Sequence, residues 1–285
     1  MNGRINKPQS ALLLGAGYTA SHLAPALISR GYAVTVTTRD GQTDLDGVKC
    51  LAFDGEASDD LRKIFQSADM IVTSIPPHKD GSDPALAALG KLIPSAKWIA
   101  YLSATSVYGD RQGRWAFEGE APTPGLKRGK ARAEAEIAWV ETGWPVHIFR
   151  LAGIYGPGRS PFDKLRQGKA RAVIKEGQVV NRIHVDDIVS ALLLSSDKPN
   201  PQAIYNLADG NPAPPQDVLD YAAQLLDLPP PPRVSVGSED VSDMARTFYA
   251  ECKRISIDRA THELGFTPTF YHFQNGLKAI LKAEG

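Results

Sequence analysis

The sequence predicts an α/β fold built on a doubly wound parallel sheet, with a smaller lobe toward the C-terminus. Short apolar, β-branched segments alternate with segments of helical periodicity through the first half of the chain. The connections between these segments are short, which is typical of right-handed βαβ units in a parallel sheet. A glycine-rich turn separates the first strand from the first helix, and this favours the Rossmann-type arrangement.

The strands are predicted from apolar or β-branched runs, at 11–14, 33–38, 48–53, 70–75, 98–103 and 146–151. The first helix is predicted at 19–30, although Pro25 inside it predicts a kink or a later helix start. Ser58 is predicted to cap the helix after the third strand. Asp83, followed by Pro84 at the first helical position, is predicted to cap the next helix.

The pattern changes after Gly153, where the chain becomes rich in loops. Helices are still predicted at 129–142, before this change, and at 216–226, between two proline clusters. Prolines in these clusters cannot lie inside a sheet because they lack the N–H donor, so a separate irregular lobe is predicted there. The predicted domains are a sheet domain at 10–152 and 178–209 and a smaller lobe at 153–177 and 210–285.

The composition is that of an ordinary globular protein, with 42% hydrophobic and 22% charged residues. Lys+Arg and Asp+Glu both number 32, so there is no field of one sign to attract nucleic acid or an anionic membrane. The polar N-terminus leads into an apolar run far too short for a signal or membrane segment. Cys50 and Cys252 fit no metal-binding spacing and are predicted to be small buried residues. We expect a cytoplasmic protein with a small-molecule substrate and no nucleic-acid or membrane partner. A homodimer is possible.

The first informative motif is LLLGAGYTASH, in which Gly15, Gly17 and Ala20 fit the pattern G-x-G-x-x-[GA]. In a dinucleotide-binding turn, the first glycine allows the tight turn and the second lets the backbone approach a pyrophosphate. The small third residue keeps the helix close to the strand. Tyr18 and Thr19 complete the helix start, where free N–H groups and the helix dipole favour phosphates. The sheet domain is therefore predicted to bind NAD(P), and the alternative is a purely structural glycine turn.

The segment VTVTTRD, at the end of the second strand, bears on the choice of nucleotide. An acidic residue at this position would bind the ribose of NAD, but Thr37 and Thr38 stand here and Arg39 follows. Hydroxyl groups and a guanidinium bind a 2′-phosphate that a carboxylate repels, so the sequence favours NADP and leaves NAD open. Asp40 leaves an alternative to phosphate binding by Arg39. It could form an ion pair with Arg39 or bind the ribose itself. Asp54 is either an acceptor for the adenine amino group or a turn residue.

Four further segments carry a resemblance to a known superfamily: YLSATSVYGD at 101–110, FRLAGIYGPGR at 149–159, NRIHVDD at 181–187 and YNLAD at 205–209. With the glycine motif they span nearly the whole chain in the expected order. The chain resembles the extended short-chain dehydrogenase/reductase superfamily, often called NAD-dependent epimerase/dehydratase proteins. The resemblance implies an NAD(P)-binding Rossmann domain and a C-terminal lobe that recognises the substrate. Pro76, after the fourth strand, is predicted to pass near the pyrophosphate.

The catalytic residues that the resemblance implies are missing from their usual places. The superfamily normally uses a Ser or Thr after the fifth strand and a Tyr-x-x-x-Lys pair on the next helix. If Lys130 occupies the lysine position, Leu126 stands at the tyrosine position. A register shifted by two residues places Arg128 and Arg132 at these positions instead. The usual Ser/Thr position falls on Ala104.

Lys130, Ser103, Thr105 and Tyr108 remain as candidates for catalysis. Lys130 could instead be a solvated residue paired with Glu134, and Tyr108 could be a half-buried packing residue. A positioned general acid or base contributes about 10²–10⁴ in rate. Its loss impairs carbonyl reduction without affecting cofactor binding.

Tyr155, Arg182 and His184 are candidate substrate-binding residues, and packing is the alternative for Tyr155. Arg182 and His184 lie where superfamily members with nucleotide-sugar substrates contact a phosphate or order the lobe. The order His-Val-Asp-Asp does not predict a metal site because no second ligand cluster accompanies it. Asp186 or Asp187 is expected to cap the helix that follows.

The sequence therefore predicts an NAD(P)-dependent oxidoreductase or epimerase/dehydratase-type enzyme with a non-standard active site, acting on a carbonyl or sugar-like small molecule. The alternative is a catalytically silent NADP(H)-binding sensor or scaffold protein. Non-redox lyase or transfer chemistry in the same pocket is a third possibility.

Overall fold

The structure is a computed structural model that describes residues 9–239 and 241–284, apart from the Met244 side chain. The polar N-terminal stretch 1–8 lies outside the described residues. The strands are β1 (Ser10–Leu14), β2 (Ala33–Thr38), β3 (Lys49–Ala52), β4 (Met70–Thr73), β5 (Trp98–Ala104), β6 (Trp115–Ala116), β7 (Val146–Leu151), β8 (Gly153–Tyr155), β9 (Ala172–Ile174), β10 (Arg182–His184), β11 (Ile204–Leu207), β12 (Arg233–Ser235) and β13 (Arg254–Ile255). The helices are α1 (Tyr18–Ser29), α2 (Asp59–Ser67), α3 (Pro84–Leu89), α4 (Lys127–Glu141), α5 (Phe162–Arg166), α6 (Val185–Asp197), α7 (Pro215–Leu225), α8 (Asp243–Tyr249) and α9 (Phe273–Glu284). A 3₁₀ turn spans Thr105–Tyr108 and a π-helical turn spans Ala260–Leu264.

The central sheet has the strand order β3-β2-β1-β4-β5-β7-β11. Leu12 of β1 pairs in parallel with Thr35 of β2 on one side and with Ile71 of β4 on the other. The order of strands along the chain reverses between β1 and β4, and such a switch point is where open α/β sheets bind their ligands. The predicted Rossmann-type fold class is confirmed.

The chain divides into two compact units, each with its own core. The first holds the described residues up to Ala104 with Lys130–Phe149 and Leu192–Ile204. The second holds Thr105–Gly129, Arg150–Ala191 and the described residues from Tyr205 onward. These units assign 105–129, 150–152, 178–191 and 205–209 differently from the two predicted domains, which remain a prediction.

In the first unit the core lies around β1, β4 and β5, whose central side chains are buried in unbroken runs. Such runs are typical of parallel strands that are covered on both faces. Trp139 of α4 is fully buried, stacks on Tyr101 with ring centroids 5.8 Å apart, and meets Trp144 edge-on at 5.9 Å. Its indole N–H donates to the Asp83 carboxylate at 3.0 Å, so this large ring has its polar atom satisfied.

The core of the second unit is formed by apolar residues of α5, α7 and α9. Phe162, Ala222 and Leu277 are among the residues fully or almost fully removed from solvent there. Short parallel strand pairs, β8 with β10, β9 with β12 and β6 with β13, supplement these helices. The predicted irregular C-terminal region therefore contains small pieces of sheet.

Most local signals in the sequence are confirmed. The Ser58 side chain accepts the Leu61 N–H at the start of α2, and Asp83 caps α3. Two expectations are wrong. Helix α1 begins at Tyr18 and continues through Pro25, so of the two alternatives for this proline, a kink or a late start, the late start is wrong. Asp186 and Asp187 lie inside the first turn of α6 instead of capping it, and the Asp187 carboxylate accepts the N–H groups of residues 269 and 270.

Candidate functional site

The glycine turn after β1 is fixed by residues of the neighbouring strands. Gly15 has a φ of 95°, which favours glycine, and a Cβ there would lie 2.9 Å from the Ser74 hydroxyl oxygen. The side-chain oxygen of buried Thr37 accepts the Gly15 N–H at 2.9 Å. The Thr37 carbonyl accepts the Ala16 N–H at 2.8 Å. Thr37 therefore sets the shape of the turn.

Gly17 stands in a different environment at the start of α1. Its backbone is extended, with φ −81° and ψ −173°, so a side chain there causes no strain. A Cβ built on Gly17 has no atom of the described chain within 4 Å. Open space beside bare backbone is what a pyrophosphate requires at the second glycine of this motif.

A cavity of about 490 Å³ opens at the switch point in the first unit. It is bounded by the ends of β1, β2, β3 and β4, so it brings together residues far apart in the sequence. Three of the predicted cofactor residues do not line this cavity. Thr19 and Ala20 are buried in the first turn of α1, and the ring of the half-buried Tyr18 contacts the His22 ring. The predicted cofactor residues that line the cavity are Gly15, Gly17, Thr38, Arg39, Asp54 and Pro76.

Arg39 is exposed and lines this cavity, whereas Asp40 does not. The Asp40 carboxylate instead accepts the Thr38 hydroxyl at 3.1 Å and the Gln42 N–H at 3.2 Å. Both hydrogen bonds lower the pKa of Asp40, and the bond from the Gln42 N–H has the larger effect. Asp54 accepts the Glu56 N–H in a turn, as the turn alternative predicts, and it also lines the cavity.

Helix α4 carries the residues of both predicted registers, Lys130 in one and Arg128 with Arg132 in the other. A Cβ on Gly129 would lie 2.6 Å from the Ser106 carbonyl oxygen, so this residue approaches the 3₁₀ turn closely. In the first unit, Arg132 donates to the Leu102 carbonyl at 3.0 Å and to the Tyr101 hydroxyl at 3.3 Å, at the end of β5. Lys130 is exposed.

The hydroxyl candidates after β5 have different environments. Ser103 is buried and donates to the Glu136 carboxylate at 2.5 Å, so its hydroxyl is committed. The fully buried Tyr108 donates to Asn206 at 2.8 Å and accepts from Arg150 at 2.9 Å. Burial raises the pKa of Tyr108 despite the neighbouring cation, so its phenol stays protonated.

Thr105 lines a second cavity, of about 130 Å³, within the second unit. Its side chain is half-buried, as is that of Ser106 beside it. Arg128 of α4 lines the same cavity. The cavity therefore contains one predicted catalytic residue and the arginine that fits the tyrosine position.

Tyr155 and His184 fill the interior of the second unit. They are 8% and 2% exposed, and the Tyr155 ring meets the His184 ring edge-on with centroids 5.2 Å apart. His184 also contacts the ring of Phe270 at 4.0 Å. Such burial supports the packing alternative for Tyr155 and gives neither ring much surface for a substrate.

Arg182 lies beside a buried carboxylate that sequence reasoning did not identify. Its guanidinium donates to the carbonyls of Val180 and Ala213 at 3.0 and 3.4 Å, and burial lowers its pKa. Asp209 is fully buried, and its Oδ1 accepts the Asn211 N–H at 3.0 Å. Burial raises the pKa of Asp209 to about 7, although the Asn211 N–H and the Arg182 charge act in the opposite direction.

Asp209 is expected to make the stability of the protein depend on pH. Between about pH 4 and 7 the folded state keeps a proton that the unfolded state has lost, so the free energy of unfolding falls as pH rises and then levels off. Asp209→Asn retains the acceptor for Asn211 and cannot ionise. Urea unfolding of both proteins at pH 5 and pH 8 should show that the wild type loses roughly 2–3 kcal/mol more than the variant. Equal losses would contradict the raised pKa of Asp209.

Comparisons with known proteins place the chain in a family. Protein YeeZ of Escherichia coli K12 is 34% identical over 239 residues, which are 77% of this chain and 84% of YeeZ. The chain belongs to the YeeZ family. A solved structure from Silicibacter pomeroyi, of a functionally unknown conserved protein, has a TM-score of 0.90 at 41% identity, covering 96% of this chain and 99% of that chain. No protein-family model matches the chain.

More distant structures share the fold of this YeeZ-family chain. The UDP-glucuronic acid 4-epimerase from Bacillus cereus, solved in complex with NAD, has a TM-score of 0.78 at 18% identity and covers 96% of both chains. At that identity the likeness shows the fold alone. The resemblance predicted from the sequence is confirmed at the level of the fold. Within 9–239 and 241–284, no helix combines the length and apolar character needed to cross a bilayer.

Several residues of the second cavity were missed by sequence reasoning. Gln178, Glu251 and Lys253 line it with Arg128, although they come from three distant segments of the chain and belong to no motif. The sequence held one signal for Arg128 as a site residue. In the register of α4 shifted by two residues, Arg128 stands where the superfamily has its tyrosine.

Proposed function

We propose that this protein binds a nicotinamide dinucleotide in the cavity at the switch point of the first unit. The supporting observation is that open space beside Gly17 joins, in one cavity, the ends of β1, β2, β3 and β4. Phosphates would lie against the glycine turn and α1, where the backbone approaches without a side chain. Such a dinucleotide supplies hydride transfer when bound. The Bacillus cereus epimerase, which shares this fold, was solved with NAD, and this is consistent with the proposal.

NADP is the favoured nucleotide because Arg39 lines the cavity while Asp40 is engaged by Thr38 and Gln42. A guanidinium suits a 2′-phosphate, with which it forms charge-assisted hydrogen bonds, better than a ribose hydroxyl. NAD binding without such selectivity is the alternative.

Arg39→Ala should weaken NADPH binding about tenfold or more and NADH binding less than threefold, because it removes a charge-assisted contact that only the 2′-phosphate makes. Fluorescence titration of both nucleotides against both proteins measures this difference. Arg159→Ala, at an exposed arginine outside the lining of the cavity, serves as the control. Equal weakening of NADPH and NADH would contradict the 2′-phosphate role.

We propose further that the protein is an oxidoreductase or epimerase-type enzyme on a carbonyl or sugar-like small molecule, with a proton path different from that of the superfamily. Arginine side chains stay cationic in proteins and do not exchange the proton as a tyrosine does. The Ser103 hydroxyl is hydrogen-bonded to Glu136, and the Tyr108 hydroxyl is hydrogen-bonded to Asn206 and Arg150. Thr105 and Lys130 remain as candidates for proton transfer.

The second candidate is a catalytically silent NADP(H)-binding sensor or scaffold, which the same replacements favour. Titration with NADPH followed by assays on a panel of carbonyl and sugar-acid compounds separates the two functions. Consumption of NADPH with any compound supports the enzyme, whereas binding without turnover supports the sensor. If neither NADPH nor NADH binds below about 1 mM, both proposals fail.

A further inference from the structure

The small cavity of the second unit has a polar lining. With a volume of about 130 Å³ and about 30 Å³ for each water in the liquid, it accommodates a group of only a few non-hydrogen atoms. Arg128 and the half-buried hydroxyl residues Thr105 and Ser106 supply hydrogen-bond donors to the lining. A whole nucleotide sugar is too large for this space, but one end of a small acid fits it.

The charges of the lining leave one cation without a carboxylate. Lys253 is 8% exposed, and its ammonium lies 2.6 Å from Oε2 of Glu251, so these two charges offset each other. Arg128 is exposed and forms no ion pair with a carboxylate of the described residues. The cavity therefore has a net charge of about one positive unit, which suits an anionic group.

The lining also contains buried acceptors that lack donors. Gln178 is only 3% exposed, and its amide N–H₂ donates to the Glu251 carbonyl at 2.9 Å. Its Oε1 has no hydrogen-bond partner in the part of the chain that the structure describes, and the same holds for Oε1 of Glu251. Buried acceptors without a donor are unfavourable, so a ligand hydroxyl that reaches either oxygen stabilises the complex.

We infer that this cavity binds a small hydroxy acid, with the anionic group on Arg128 and an adjacent hydroxyl on the side-chain oxygens of Gln178 and Glu251. This inference rests on the proposed function and gives the class of small molecule that the cavity of the second unit binds. The anion is a carboxylate or a phosphate, which share the chemistry that a guanidinium recognises.

The test uses isothermal titration of the protein saturated with NADP⁺, with four probes of similar size. Glycerate carries a carboxylate and hydroxyls, glycerol 3-phosphate a phosphate and hydroxyls, propionate a carboxylate alone, and glycerol hydroxyls alone. At least one of the first two should bind about tenfold tighter than propionate and glycerol, and the better of the two identifies the anion. Gln178→Ala should reduce the advantage of that probe over propionate to less than threefold.

Arg128→Ala should weaken the better probe about tenfold, because it removes a charge-assisted hydrogen bond. Lys127→Ala, which removes the same charge from the adjacent exposed position outside the cavity lining, should change its affinity less than twofold. Thermal unfolding of each variant verifies that it is folded.

The inference is overturned if neither hydroxy acid binds, if propionate or glycerol binds equally well, or if Lys127→Ala has the same effect as Arg128→Ala. In those cases NADP⁺ binding, measured separately, still supports the proposed function. If NADP⁺ does not bind, the proposed function fails and the inference fails with it.

Discussion

Gly17→Leu is expected to weaken binding of both NADPH and NADH at least 100-fold while leaving the unfolding temperature unchanged. A Cβ at this position meets no atom of the described chain within 4 Å, and the backbone is extended, so leucine is accommodated in the folded protein. Its side chain then occupies the space proposed for the pyrophosphate. Fluorescence titration measures binding, and thermal unfolding measures stability.

Two other glycines provide matched controls. Gly119 also has no atom within 4 Å of a built Cβ and does not line the cavity, so Gly119→Leu should leave both nucleotide binding and stability unchanged. Gly15→Ala should lower stability, because Gly15 has positive φ and its Cβ would meet Ser74 at 2.9 Å. If Gly17→Leu binds NADPH as tightly as the wild type, the cavity is not the nucleotide site.

Asp83→Ala is expected to lower the free energy of unfolding by about 3 kcal/mol. Oδ1 of Asp83 accepts the N–H groups of Ala85 and Leu86, and Oδ2 accepts the indole N–H of Trp139. Loss of a helix cap costs about 1 kcal/mol, and a buried donor left without an acceptor costs about 1–3 kcal/mol more. Urea unfolding followed by tryptophan fluorescence measures the loss.

Asp80→Ala is the matched control for this variant. Asp80 is exposed, and its carboxylate accepts only local hydrogen bonds from Ser82 among those the structure describes, so its removal should change stability by about 0.5 kcal/mol or less. A loss below 1 kcal/mol in Asp83→Ala would mean that water replaces the carboxylate at both of its contacts.

Signals carried by neighbouring residues were read correctly from the sequence. The caps at Ser58 and Asp83 were predicted because a short polar side chain acts on N–H groups two or three residues away. The strands were predicted because buried parallel strands are continuous apolar runs. Pro25 does not delay the start of α1, because packing of buried residues such as Leu23 and Leu27 stabilises a helix despite the hydrogen bond that a proline lacks.

Features that depend on contacts distant in sequence were not readable. The close approach of Gly129 to the Ser106 carbonyl is not visible in sequence spacing, which left the register of Lys130 versus Arg132 open. Likewise, the meeting of Gln178 with Glu251 joins segments 73 residues apart, without any motif that relates them.

The hydrogen bonds of Thr37 limit how cofactor preference can be redesigned. One strand end both anchors the phosphate turn, through residue 37, and carries the charge that faces the cavity, at residue 39. A conversion toward NADH should therefore alter only positions 38 and 39. Extending the change to residue 37 would disturb the glycine turn that we propose binds the phosphates of both nucleotides.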